Sequence, residues 1–242
     1  GGASGLIRRL VADFRARDTD ALFLGTGFDT PAWHIYRKAG FREVEPESGV
    51  MSLFTQSAEA FEKKYFTAAK TAVRPFGWPQ WPASAALTAG AYPGTVRILS
   101  RKIAGRVNAE GPLLKAVRAE KERKENNDPP AIIALENTET TAVTGIAAHA
   151  PHPYWEKTCV VDVWCHPRYW DRAGDLLASL ELPPANKYLA YADPFCEQRV
   201  HTLETAGFRK TAVISDLAFT DRAATVPADV ILLEKQPGPF ET

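Results

Sequence analysis

The residues in this 242-residue chain that could do chemistry begin at its first position. Gly1-Gly2-Ala3-Ser4-Gly5 stands directly before a run in which Leu6, Ile7, Leu10, Val11 and Phe14 recur at helical spacing. A helix N-terminus has unpaired backbone N–H groups and partial positive charge, and glycines let an anion come close to both. Gly2 to Gly5 ahead of the Leu6 helix can therefore cradle a pyrophosphate. The plain alternative is a flexible start or a tag scar. His149, His152, Cys165 and His166 are residue types that bind zinc, but their spacing matches no pair of ligand doublets. Cys165 and His166 are adjacent on an expected strand and so point to opposite faces, and no metal is expected. Cys159 and Cys165, six apart, share a strand face and read as buried thiols. No Ser-His-Asp or Cys-His nucleophile arrangement has a supporting motif.

The elements that must position these residues can be read from periodicity and punctuation. Ala21 to Leu24 is a short apolar strand ended by Gly25. Thr30-Pro31 is an N-cap with proline at the first helical position, and the helix over Ala32 to Ala39 stops at Gly40. Phe41 to Val44 and Val50 to Phe54 are strands joined by the turn 45–49. A helix is expected over Ala58 to Ala72. The Pro- and Trp-rich stretch Pro75 to Pro82 is expected to be extended, with its rings packed on a neighbour. A second cycle opens near Thr95, with a strand over Val96 to Ser100 and a charged helix over Leu113 to Lys124. Strands follow at Ala131 to Glu136, Ala142 to Ala148 and Cys159 to Cys165. The chain then alternates: helix Asp171 to Leu180, strand Lys187 to Tyr191, helix Glu197 to Ala206 ended by Gly207, and strands Arg209 to Asp216 and Asp229 to Glu234. The fold class is α/β, a mixed α+β arrangement.

Composition narrows the partners. Lys plus Arg and Asp plus Glu number 29 each, with 45% hydrophobic and 24% charged residues, an ordinary globular balance. Zero net charge argues against a protein built on nucleic-acid phosphates or an anionic membrane, and no apolar run reaches the ~20 residues of a membrane helix. Three unevenly spaced cysteines suit a reducing, cytoplasmic setting. The chain starts without Met and without a signal-peptide pattern, so missing upstream sequence is expected.

The sequence contains an internal echo. Ile35-Tyr36-Arg37-Lys38-Ala39-Gly40-Phe41-Arg42 parallels Thr202-Leu203-Glu204-Thr205-Ala206-Gly207-Phe208-Arg209, each between short strands. Tyr36-Arg37-Lys38-Ala39-Gly40-Phe41 resembles the last-helix motif of the GNAT N-acetyltransferase superfamily. Gly1-Gly2-Ala3-Ser4-Gly5-Leu6 resembles the end of that family's acyl-CoA loop, whose basic first residue would precede residue 1. The resemblance implies a tandem GNAT-like architecture: residues 1–54 as the C-terminal half of one copy, 55–94 as a connector, and 95–242 as a second, degenerate copy.

The same resemblance implies an acetyl-CoA-dependent N-acetyltransferase that transfers acetyl directly to an amine, small-molecule or peptide, without metal. Gly1, Gly2, Ala3, Ser4 and Gly5 would bind the cofactor, with pantetheine along Ala21 to Gly25, and Tyr36 would protonate the leaving thiolate. Asp29 stands where many members carry a cofactor-contacting Asn. In the second copy His166-Pro167-Arg168-Tyr169 resembles the end of the fourth strand, but Asp171 and Asp175 follow it, and Leu203 replaces the tyrosine. Asp162 matches an acidic position of that strand and is taken as structural. A half-domain exposes a sheet edge, so association with another copy or with a missing segment is expected. The rival is a catalytically inert GNAT-like scaffold or binding protein.

Overall fold

The computed structural model describes residues 2–108, 110–220 and 224–237. Helix α1 (Gly2–Ala16), strand β1 (Ala21–Gly25), helix α2 (Pro31–Lys38) and strands β2 (Arg42–Glu43) and β3 (Val50–Phe54) form a first unit. Its sheet runs β1-β3-β2, antiparallel, with Ala21 opposite Phe54 and Arg42 opposite Ser52. Strand alternation sends Leu22, Leu24, Met51 and Leu53 to one face, where they pack with Val11, Phe14, Trp33 and Phe41. Phe23 and Phe54 meet Phe61 at 6.0 and 5.4 Å between ring centroids. The Thr30 hydroxyl accepts the Trp33 N–H, Pro31 opens α2, and Gly40 follows it at φ +106°, where a side chain would be strained.

The second unit opens with α3 (Ala58–Tyr65), capped by Ser57, and β4 (Thr71–Pro75). Helices α4 (Gln80–Ala83) and α5 (Ala85–Ala89), strands β5 (Val96–Ile98) and β6 (Ile103–Ala104) and helix α6 (Glu110–Glu125) come next. Strands β7 (Ile132–Asn137), β8 (Val143–Pro151) and β9 (Thr158–Cys165) lead to a 3-10 turn at Pro167–Arg172 and helix α7 (Ala173–Ala178). Strand β10 (Lys187–Ala192), helix α8 (Glu197–Thr205) and strands β11 (Arg209–Phe219) and β12 (Pro227–Lys235) complete it. Seven strands form one sheet in the order β11-β12-β10-β9-β8-β7-β4. Its two faces carry separate cores. Ile133, Leu135, Val161, Val163 and Cys165 pack with Leu176 and Leu203, while Ile132, Ala134, Ile146 and Trp164 pack with Leu87, Ile98 and Leu113. Cys159 and Cys165 lie in the same cluster, and burial pushes the Cys159 thiol up to about 11.

Two expectations are corrected here. Residues 55–94 are not only a connector, because β4 pairs antiparallel with β7 from Thr71 opposite Asn137 to Pro75 opposite Ile133. The helix from Ala58 therefore stops at Tyr65, and Pro75 is tolerated because β4 is an edge strand. The Pro/Trp stretch is not wholly irregular either, since Gln80–Ala83 forms a short helix. The echo appears in three dimensions as a shared connectivity. Strand–helix–strand–strand gives the order β1-β3-β2 in the first unit and β10-β12-β11 in the second. Gly207 follows α8 at φ +89°, as Gly40 follows α2.

Strands β9 and β10 are parallel and paired only from Lys187 opposite Thr158 to Leu189 opposite Val160. Beyond that point they part, and β5 packs against both. Among the described residues no helix is long and apolar enough to cross a membrane.

Candidate functional site

Gly2, Ala3, Ser4 and Gly5 lie within α1 and form no separate loop; Gly1 lies outside the described residues. The amphipathic run extends back to Gly2 because the first helical N–H groups need no intrahelical partner, so glycine costs least there. A Cβ at Gly2 or Gly5 would meet nothing within 4 Å, so the protein's own packing does not demand glycine at either position. Asp29 adopts φ +56°, is exposed, and pairs with His34 at 3.0 Å. Tyr36 sits half-buried on α2, its ring edge-on to Phe41 at 5.7 Å. No hydrogen bond among the described residues joins Gly2–Gly5, Asp29 and Tyr36 to one another.

In the second unit the parting strands are closed by the chain itself. Asp193, just past β10, accepts the Thr95 and Val96 N–H groups on one oxygen at 2.7 Å each. Asp162 on β9 accepts the Ser100 N–H at 2.7 Å and pairs with Arg199 at 2.8 Å, with both side chains 0% exposed. Arg199 also donates to the Val96 and Arg97 carbonyls. Residues 95–100 are thus held against the place where β9 and β10 part. Leu203 is fully buried in the core, whereas Asp175 is exposed and pairs with Arg172 at 3.3 Å.

A cavity of about 780 Å³ lies where the two units meet, between the Phe23–Phe54 face and α3. In its wall Glu62 accepts the Tyr92 hydroxyl at 2.8 Å and contacts His166 Nε2 at 2.5 Å. His166 Nδ1 accepts the Arg168 N–H, which leaves Nε2 to carry the proton toward Glu62. Its ring stacks on Phe66 at 4.1 Å. Burial raises the Glu62 pKa, but the hydrogen bonds from His166 and Tyr92 outweigh it, so the carboxyl is held below its ordinary value. Burial and the neighbouring carboxylate push the Tyr92 phenol up. With both imidazole nitrogens engaged, this chain of groups fastens α3 to the end of β9 and offers no free base.

Sequence reasoning missed Glu62, Tyr92 and Arg199. Glu62 and His166 are 104 residues apart, and no local spacing links them. His149, His152, Cys165 and His166 are dispersed. His149 is buried, and burial lowers its pKa to about 4, while His152 Nδ1 accepts the Tyr154 and Trp155 N–H groups. Among the described residues no three His, Cys, Asp or Glu side chains are grouped to hold a metal.

No protein-family model and no curated protein sequence matches the chain. Solved structures do. The ribosomal-protein-S5-alanine acetyltransferase of Vibrio fischeri is 12% identical, with 73% of this chain covering 98% of that one at a TM-score of 0.50. A ribosomal-protein-alanine N-acetyltransferase from Brucella melitensis is 13% identical, with 69% covering 99% at 0.49. A putative acetyltransferase from Salmonella typhimurium, solved with acetyl-CoA, is 15% identical, with 71% covering 96% at 0.43. At these identities the likeness is one of fold, carried by the first of the three. The chain has a GNAT-like mixed α/β fold.

Proposed function

We propose that the chain is an acetyl-CoA-dependent N-acetyltransferase that works through its first unit. The observation that carries this is the shared connectivity of the two units combined with the GNAT-like fold. The β1-α2-β2-β3 unit repeats the β10-α8-β11-β12 end of the larger sheet. The edge of β1 away from β3 pairs with no described strand, whereas the matching edge of β10 is occupied by β9 and β5. Pantetheine would lie along that β1 edge, and the N–H groups at Gly2 to Gly5 would hold the pyrophosphate. Asp29, at the entry to α2, would lie beside it. The amine attacks the thioester carbonyl, and the C–S bond breaks as the acetyl group moves to nitrogen. Tyr36 delivers a proton to the departing thiolate, the nitrogen releases one proton to solvent, solvent reprotonates Tyr36, and no acyl-enzyme forms. Holding donor and acceptor together supplies most of the acceleration.

A second function, an inert GNAT-like scaffold, is favoured by two observations: residues 95–100 fill the opening between β9 and β10, and Leu203 cannot donate a proton. Calorimetric titration with acetyl-CoA separates the two. Saturable binding that Gly2→Asp abolishes, together with acetyl transfer to a panel of amines that Tyr36→Phe slows by about 10²-fold or more, supports the enzyme. Binding unaffected by Gly2→Asp, or turnover unaffected by Tyr36→Phe, overturns the assignment to the first unit. Absence of binding favours the scaffold.

A further inference from the structure

We propose that the cavity between β6 and the Phe219–Thr220 end of β11 binds a small organic carboxylate with an apolar or aromatic body, held by Arg106 and Arg97. This goes beyond acetyl transfer, because none of Gly2, Ala3, Ser4, Gly5, Asp29 or Tyr36 lines this cavity of about 700 Å³.

Two guanidinium groups in its wall have no carboxylate within ion-pair distance among the described residues. Arg97 is 1% exposed. It donates to the Thr88, Gly90 and Tyr92 carbonyls, and its buried Nε–H has no partner among the described residues. Arg106 donates through Nε to the Ala89 carbonyl, and its terminal N–H groups meet no acceptor among the described residues. Both side chains thus converge on the C-terminal carbonyls of α5, which give only partial negative charge. Burial pushes the Arg97 pKa down to about 10, and repulsion from Arg106 adds to the shift. Burial likewise lowers that of Arg106. Glu45 is the acidic residue of the lining and attracts both arginines without pairing with either. Among the described lining residues the two arginines outnumber Glu45, and Asp193, which also attracts Arg97, is committed to the Thr95 and Val96 N–H groups, so an anionic ligand suits the wall. Phe195, Phe219 and Val226, all in the lining, are 53%, 43% and 52% exposed. Large apolar side chains rimming a concave, positively charged wall fit a ligand with an anionic head and an apolar body.

The test compares N-acetylphenylalanine and indole-3-acetate with their uncharged amides by calorimetry on the full chain. At least one acid is expected to saturate the protein, with its amide about tenfold weaker or worse, the usual worth of a charge-assisted hydrogen bond. Arg106→Gln should weaken the acid by a similar factor and leave the amide unchanged. Acid and amide binding alike, no saturation by either acid at 10 mM, or an Arg106→Gln variant of unchanged acid affinity overturns the proposal. So does displacement of the acid by acetyl-CoA, which would make the arginines a nucleotide-phosphate site. If Arg106→Gln fails to fold, the acid–amide comparison on the unaltered chain still decides.

Discussion

Removing the charge of Asp162 while keeping its shape tests how the larger sheet is closed. In Asp162→Asn the Ser100 N–H keeps an acceptor, but Arg199, 0% exposed, keeps its positive charge with only the Val96 and Arg97 carbonyls as partners. Leaving one member of a buried ion pair uncompensated costs about 3–5 kcal/mol. At about 2–4 °C per kcal/mol for a protein of this size, the melting temperature should fall by about 6–20 °C. Arg199→Met alone should cost a comparable amount, because it leaves a buried carboxylate with the Ser100 N–H as its remaining donor. The double variant removes both charges and should cost less than the sum of the two. Urea unfolding followed by tryptophan fluorescence measures all four corners of the cycle, with Trp164 two residues from Asp162 as a local reporter. An Asp162→Asn cost below about 1 kcal/mol, or single costs that add to within about 0.5 kcal/mol, would refute the role given to this pair.

Two further outcomes follow from other parts of the molecule. The Glu62 carboxyl is held below its unfolded value of 4.5, so its contribution to stability is full above that value and disappears as pH falls through the lower folded value. Glu62→Gln should cost about 1 kcal/mol at neutral pH, at the low end because the side chain is 36% exposed, and it should flatten the loss of stability as pH falls below 4.5; an unchanged acid limb would count against the fastening role. Gly49→Ala would place a Cβ 1.8 Å from the Thr26 carbonyl oxygen, a backbone atom that cannot step aside, beside the Thr26 N–H···O=C Gly49 bond. It should destabilise the first unit by about 3 kcal/mol or more, seen as faster proteolysis of residues 2–54 and altered Trp33 fluorescence, and native-like proteolysis would refute it.

Much of the order of elements was legible because local signals agreed with packing. Thr30-Pro31, Gly40 and the short apolar runs of β7 and β9 announce their own structure. Where the reading missed, a distant partner decided. Thr71 to Pro75 is an unremarkable stretch that becomes a strand only because β7 offers an edge, and the run after Ala58 therefore ends early. Gly2 to Gly5 looked like a loop because glycine is a poor helix former, yet the first helical turn tolerates it. Motif order is what makes Tyr36 and Asp29 candidates. The Tyr92–Glu62–His166 contacts could not be picked out in that way, because they join residues 30 and 104 positions apart in sequence. The arginines at positions 97, 106 and 199 carry no sequence signal, since an arginine on a strand, loop or helix alike reads as exposed until its burial is seen.

Residues 95–100 meet Asp193 and Asp162 as an intramolecular partner, tethered at both ends. Their effective local concentration is fixed by the chain and does not dilute. A free molecule arriving between β9 and β10 would have to outcompete that tether, and it would leave two buried carboxylates to be paired again. The larger sheet is therefore held shut without mass action, and its stability does not wait on the supply of a ligand.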